Sequence, residues 1–480
     1  MSDSDIEPLA DGVFSVLEKV GVLCQNREIL KALEAKGMKV DYARGTCAFP
    51  RKVQDAFFEQ ICDDKSVESG DGHRKFNSPS SPVLETQVAQ LVYDYERKER
   101  RAGNKEDFID LIKLGDVIHP EVGVGHSLLL TDVPAIMEPL EAALLLAEYA
   151  RKPLPAFAWN VRQIDYLKEM GEVLGLRDWF EYGAICFAHP LRWDRDTADK
   201  FVHRVKSGYP TGLTAMPVAG MTAPVTVAGF VVVASAEFFA TWIAARSLNE
   251  KVELQGSMWG GTIDMKTGST SYSTFDAMLY SFATVEFLRR WIGKQVTVGG
   301  GEYCNAKLPG LYAALEKAYK AMTIAAFTGY HPTVGQGMLE EGKTMSPVQL
   351  LLERDLASGV KIYGNQIEVT PQTIALDTIF EIGFGLNRNY LQARHTLSNF
   401  RKCLWLPELI DRAGWNGYDD EERILERTQK KVNDLISEYS KPDVDGNKLS
   451  KMREIAKRAQ RELLRWNQIM KCKCCSSMEY

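Results

Sequence analysis

From about residue 118 onward the chain repeats one texture: a short β-branched or apolar run, then a stretch with helical spacing. Val122-Gly-Val-Gly125 precedes a helical pattern at 136–150, and Leu154–Trp159 precedes one at 163–174. Gly183–Ala188 is followed by 197–206, Thr211–Met216 by 225–245, and Val252–Gly256 by 275–291. Gln295–Val298 leads into 311–327, and a short run at Tyr330–Val334 leads into 347–356. Seven such units are legible, with an eighth strand sought from residue 360 on. Serial β/α alternation of this kind restricts the chain to the α/β class and favours a (β/α)8 TIM barrel. A doubly wound open sheet is the alternative, but no GxGxxG follows a first strand. The predicted organisation is an N-terminal helical region with a short strand or hairpin (1–117), a barrel core (118–369) and a C-terminal helical segment (370–480). In the first region Leu9, Val13, Val16, Leu17 and Val20 recur at helical spacing. Residues 66–83 read as a loop, 86–95 as a strand or hairpin, and Arg97-Lys-Glu-Arg-Arg101 as a solvated turn.

Composition narrows the function classes. The 480 residues carry a net charge of −6, and no basic stripe stands out, so no nucleic-acid partner is expected. The first seven residues are acidic and polar, unlike a secretory leader. The nine cysteines are therefore read as free thiols of a reduced, cytoplasmic protein. The apolar run 225–245 contains Glu237 and lacks a basic flank. It reads as a buried helix, with no membrane association expected.

The stretch Val296–Lys307 concentrates chemistry. A β-branched run ends in Gly299-Gly300-Gly301 and continues into Glu302, Tyr303, Cys304, Asn305 and Lys307 before the next helix. In a barrel the carboxyl ends of the strands line one mouth. Those ends carry His126, Trp159 with Asn160, His189, Met216, Trp259, Glu302 with Tyr303, and Tyr330 with His331. Aromatic rings beside carboxylates hold quaternary ammonium ions by cation–π attraction; the same rings could instead plug a barrel. Three histidines could converge on a metal, but no acidic residue pattern accompanies them and no metal is expected. No GxSxG occurs. Cys304 beside Lys307 is either a nucleophile or a small buried thiol.

Several segments, in one order, resemble the trimethylamine methyltransferase family of corrinoid-dependent enzymes. Ala219-Gly-Met-Thr-Ala-Pro-Val-Thr-Val-Ala-Gly229 is similar to its GATAPVTLAG signature. Asp264-Met-Lys-Thr-Gly268 with Ser271-Tyr272 is similar to DMRTG…SYG. Gly299–Gly301, Asn305-Ala-Lys307 and Glu316-Lys317-Ala318 are similar to GGG…DAK…YEKA, and Gly337-Met-Leu339, Gly342 and His395-Thr-Leu397 also match. The resemblance implies a (β/α)8 barrel that moves a methyl group from an amine to the Co(I) of cobalamin or another corrinoid, carried by a partner corrinoid protein. Two departures matter: Asn305 stands where the family has Asp, and no pyrrolysine is present. A quaternary ammonium already has a neutral amine as its leaving group, so the non-pyrrolysine branch suits such a substrate. Glycine betaine, giving dimethylglycine, is the simplest; proline betaine, carnitine and γ-butyrobetaine are alternatives, as is a non-catalytic betaine-binding protein. The expected cage draws on Trp159, Trp259, Tyr272, Tyr303 and Tyr330. His331, His189 or Asn305 would hold the carboxylate, and Glu302 would balance the cation. Glu302 and His331 are the expected catalytic residues, and a homo-oligomer is the expected assembly.

Overall fold

The computed structural model describes residues 1–63, 84, 87–294, 296–329, 334–360, 367–410, 412, 414, 417 and 419–476. Helices dominate, and their boundaries follow local chemistry. The helix Lys105–Ile118 begins at a reciprocal cap between Asn104 and Asp107, and Asn26 accepts from the N–H groups of Glu28 and Ile29 to start Arg27–Ala35. Such caps stabilise by about 1 kcal/mol each. Ile164–Leu174, Phe275–Ile292 and Leu311–Thr328 each end on a left-handed glycine: Gly175, Gly293 and Gly329.

The predicted alternation is present. Helices Glu138–Tyr149, Ile164–Leu174, Arg195–Lys206, Val227–Leu248, Phe275–Ile292, Leu311–Thr328 and Pro347–Val360 fall where the periodicity placed them. Parallel neighbours follow chain order. Ala89 bridges Leu128, Val124 bridges Pro153, and Phe157 bridges Glu181. The Thr214 N–H donates to the Ile185 carbonyl. Strand Thr211–Ala215 pairs with Leu254–Met258 over its whole length, and Leu254–Met258 pairs with Thr297–Val298.

Two expectations change. The described residues form small sheets of three or four strands, not a closed barrel. Several neighbours meet through a single bridge, too little for a continuous ladder, and the run beginning at Tyr330 lies outside the described residues up to Thr333. The unit sought after residue 360 instead stands before 118. Ala89 is the parallel partner of Leu128, and the strand that follows it, Leu91–Asp94, leads to the helix Lys105–Ile118. Its signal was interrupted by Arg97–Arg101: the chain turns at 95–98, and Glu99, Arg100 and Arg101, expected in a solvated turn, instead belong to the second strand of an antiparallel hairpin, Leu91–Asp94 against Glu99–Ala102.

Two apolar cores flank this array. In one, Ile6–Lys19 and Arg27–Ala35 pack on the long helix Val227–Leu248, which itself lies on the strand Thr211–Ala215. Val227–Leu248 is long and apolar enough to cross a membrane, yet most of it is buried inside the protein. In the other core, the C-terminal helices Asp420–Glu438 and Gly446–Ser476 cover Lys105–Ile118, Glu138–Tyr149 and Ile164–Leu174.

Candidate functional site

The strand ends at 126 and 189 each carry a histidine locked by a glutamate. His126 Nε2 lies 2.8 Å from Glu138 Oε1, and its Nδ1 accepts the Phe157 N–H at 3.4 Å. His189 Nδ1 lies 2.8 Å from Glu237 Oε2, and its Nε2 accepts the Met216 N–H at 3.0 Å. Each carboxylate also takes a backbone N–H, from Leu130 and Leu191 respectively. Burial resists protonation of His189, but Cys186 and Glu237 outweigh it and pull the ring up to about 9. The Met216 N–H opposes that pull, because only an unprotonated Nε2 can accept it. The resting ring is accordingly the neutral tautomer with its proton on Nδ1. Both histidines thus have acidic partners that spacing did not show, and both nitrogens of each ring are occupied. No cluster of three or more metal-ligating side chains occurs among the described residues.

The expected cage residue Trp159 is drawn into this framework. Its indole N–H donates to Glu138 Oε2 at 2.7 Å, and its ring stacks on Phe157. A different trio assembles at the ends of the later strands. Trp259 and Tyr303 meet edge to face with ring centroids 4.8 Å apart, and Tyr272 lies 6.1 Å from Tyr303. Trp259 and Tyr272 are half-buried, so the trio keeps open ring surface. The glycines explain the close fit. A Cβ on Gly299 would lie 1.8 Å from Trp259 Nε1, and one on Gly300 3.0 Å from Lys320 Nζ. The indole N–H donates to Ser257 Oγ at 2.7 Å, and Gln87 Nε2 donates to the Tyr303 hydroxyl at 3.1 Å. Burial lifts the phenols of Tyr272, to about 12, and Tyr303, so both remain neutral donors.

Sequence reasoning missed the cation of this site. Lys320 is buried, and its Nζ sits 5.8 Å from the Tyr303 ring centroid. It donates to the Tyr272 carbonyl at 2.8 Å and Ser273 Oγ at 3.4 Å. Burial brings this amine down to about 8, with Glu341 opposing. Glu341 accepts from Ser271 Oγ and Ser273 Oγ. A readable signal existed: Lys317 and Lys320 lie three apart, on the same helical face as Ala313, Ala321 and Ile324.

The remaining predicted residues separate from the trio. Glu302 faces another cation: Lys317 Nζ lies 3.3 Å from its Oε2 and 2.6 Å from Glu353. Burial opposes the charge on Lys317, but Glu353 and Glu302 hold it protonated. Asn305 is half-buried, and its carbonyl accepts from Lys307. Cys304 is fully buried, and burial raises its thiol to about 12, which disfavours the thiolate a nucleophile needs. Tyr330 and His331 lie outside the described residues. A cavity of about 690 Å³ opens between strands 211–215, 254–258 and 297–298 and the helices beside them. It is lined by Gln255, Ser257, Thr297 and Phe327 among others, and none of the three rings of the trio lines it.

Comparison with known proteins gives a consistent result. The family model described as trimethylamine methyltransferase (MTTB) matches residues 1–463. Trimethylamine methyltransferase MttB2 of Methanosarcina mazei is 27% identical over 279 residues, 58% of this chain and 55% of that protein. Trimethylamine methyltransferase MttB of Desulfitobacterium hafniense strain DCB-2 is 21% identical over 415 residues, 83% of this chain and 81% of its own. Glycine betaine methyltransferase of Desulfitobacterium hafniense strain Y51 is 23% identical over 258 residues, 53% of each. The chain spans little more than half the length of the Methanosarcina relatives it matches.

Proposed function

The chain belongs to the trimethylamine methyltransferase family, and from that premise we propose that it takes a methyl group from a quaternary amine, foremost glycine betaine, and delivers it to a reduced corrinoid held by a partner protein. The cytoplasm is the compartment this reading assigns. The observation that carries the reading is the trio of Trp259, Tyr272 and Tyr303, whose rings meet at the strand ends with Trp259 seated on Gly299. Rings in this arrangement favour a diffuse cation with no hydrogen-bond donors, each contact contributing roughly 0.5–2 kcal/mol. The parallel neighbours in chain order support a (β/α)8 barrel as the scaffold, its first unit at 89–118 and its other seven within 118–369.

The corrinoid supplies the nucleophilic cobalt that takes the methyl carbon in line. The chain's own residues bind and orient the cation. As the carbon–nitrogen bond breaks, its electron pair stays on nitrogen and a neutral tertiary amine leaves. No proton has to move, which agrees with a mouth whose two described histidines have both nitrogens engaged. With both ring nitrogens engaged, His189 is read as a brace of the strand end rather than as a ligand of a substrate carboxylate.

The test is methylcobalamin formation by purified protein with Co(I) cobalamin and a panel of glycine betaine, proline betaine, carnitine, γ-butyrobetaine and trimethylamine. Turnover with a quaternary amine supports the proposal. Turnover with trimethylamine alone refutes the substrate class. Binding of a betaine without methylcobalamin supports the non-catalytic reading instead.

A further inference from the structure

The segment 367–403 is built as helices that bury almost nothing. It contains Pro371–Ile374, Leu376–Ile382, a 3-10 turn at Tyr390–Gln392 and Arg394–Cys403. Ile382 is the buried residue among them. Its apolar side chains point to solvent: Phe384 is 99% exposed and Leu386 88%, with Phe380, Leu391 and Leu397 nearly as open. Helices of four, seven and ten residues fall below the roughly 12–15 residues that hold in water without packing. Such an arm needs a surface to lie on.

The same chain offers one. Leu311, Leu315 and Met322 form an outward stripe along Leu311–Thr328, with Met322 68% exposed. Phe275 and Leu279 face outward from the neighbouring helix Phe275–Ile292. Phe275 stacks on Tyr319 at 4.8 Å and Phe282 on Phe327 at 4.3 Å, so the two stripes are contiguous. An apolar face of this extent on a soluble surface marks an interaction site.

We propose that a second copy of this chain covers that face: the arm 367–403 of each copy lies across helices Phe275–Ile292 and Leu311–Thr328 of the other. Donor and acceptor occur on the same polypeptide, as a closed two-fold exchange requires. The five open side chains of the arm present on the order of 800 Å², the contribution of one partner to a stable interface. The roots of the arm argue against the corrinoid partner as occupant. Asp355 accepts the N–H groups of Glu408, Leu409 and Ile410, and Trp405 donates to Ser358 Oγ. These contacts lie on the second half of Pro347–Val360, a helix that leads away from the strand ends. The arm therefore springs from the side opposite the trio.

The experiment is sedimentation velocity of the full chain at micromolar concentration, with a crosslinking arm. Wild type is expected as a dimer or a multiple of it. Phe384→Glu/Leu391→Glu on the arm, and Leu315→Glu/Met322→Glu on the face, should each give folded monomer with an unchanged far-ultraviolet spectrum. A photoreactive residue at position 384, in a mixture of light and isotopically heavy chains, should crosslink to 311–322 of the other isotope. Monomeric wild type overturns the proposal. So do crosslinks confined to one isotope, or arm substitutions that leave the oligomer intact. Monomer that binds a corrinoid protein through the arm overturns it in favour of that partner.

Discussion

Lys320 makes the sharpest quantitative prediction, because a resident cation stands behind the ring meant to receive another. Its Nζ is 5.8 Å from the Tyr303 centroid. A quaternary ammonium on the far face of that ring, in cation–π contact, lies roughly 10 Å from Nζ. At an effective dielectric constant near 20 the repulsion is about 1.7 kcal/mol, on the order of tenfold or more in affinity. Lys320→Met removes it. The amine titrates near 8, so at pH 7 it is mostly charged and the full gain should appear. At pH 9 it is mostly neutral, and variant and wild type should converge. Glu341 beyond Ser273, with Glu316 and Lys317 on the same helix, supplies the surrounding field and is common to both proteins. The probe is tetramethylammonium, titrated calorimetrically at pH 7 and 9; glycine betaine should shift less, because its carboxylate is attracted by the same charge. Wild type alone provides a second reading, since its affinity for tetramethylammonium should rise as pH passes 8. A Lys320→Met protein with equal or weaker affinity at pH 7, or a flat wild-type profile, would refute the reasoning. Stability carries the same sign. The folded value lies below the ordinary 10.5, so wild-type stability should climb between pH 8 and 10.5, and the variant should lose that slope.

Other consequences follow from single contacts. Lys317→Met leaves Glu302 and Glu353 buried without their cation, and should cost about 3–5 kcal/mol at pH 8. Burial has already pushed Glu353 up to about 7. A raised carboxylate loses stability as pH climbs through that value, so the penalty should shrink towards pH 5 in urea denaturation; equal penalties at both pH values would contradict the assignment. Gly299→Ala places a methyl group 1.8 Å from Trp259 Nε1. The indole should leave Ser257, with a shifted tryptophan emission and at least a tenfold weaker cation; unchanged emission and binding would remove Trp259 from the site. Cys304→Ala should keep methyl transfer within about twofold, since burial keeps the thiol protonated; a tenfold loss would restore it as a reacting group.

The helices were readable because their apolar periodicity coincides with burial. Phe275–Ile292 and Leu311–Thr328 end within a residue of their predicted limits. The strands were readable as positions but not as a ladder, because register is a long-range property. The glycine at 299 has a steric reason that lies 40 residues earlier, in the Trp259 ring packed against it. Residue types at strand ends did not reveal which partner each would choose. Glu138 takes Trp159 across 21 residues and Glu237 takes His189 across 48, separations at which sequence spacing carries no pairing signal. Lys320 was hidden because a lysine in a helix normally faces water; only its phase relative to Ala313, Ala321 and Ile324 showed otherwise.

The two histidine–glutamate pairs tie the array together in different ways. His126 is held by a helix of its own unit, Glu138–Tyr149, which directly follows its strand end. His189 passes over the helix of its own unit, Arg195–Lys206, and is held by Val227–Leu248 of the next. The two rings are also reversed: His126 turns Nε2 to its carboxylate and His189 turns Nδ1. The first pair therefore braces a strand end on its own helix, while the second couples two successive units, so loosening Val227–Leu248 would be felt at the preceding strand end.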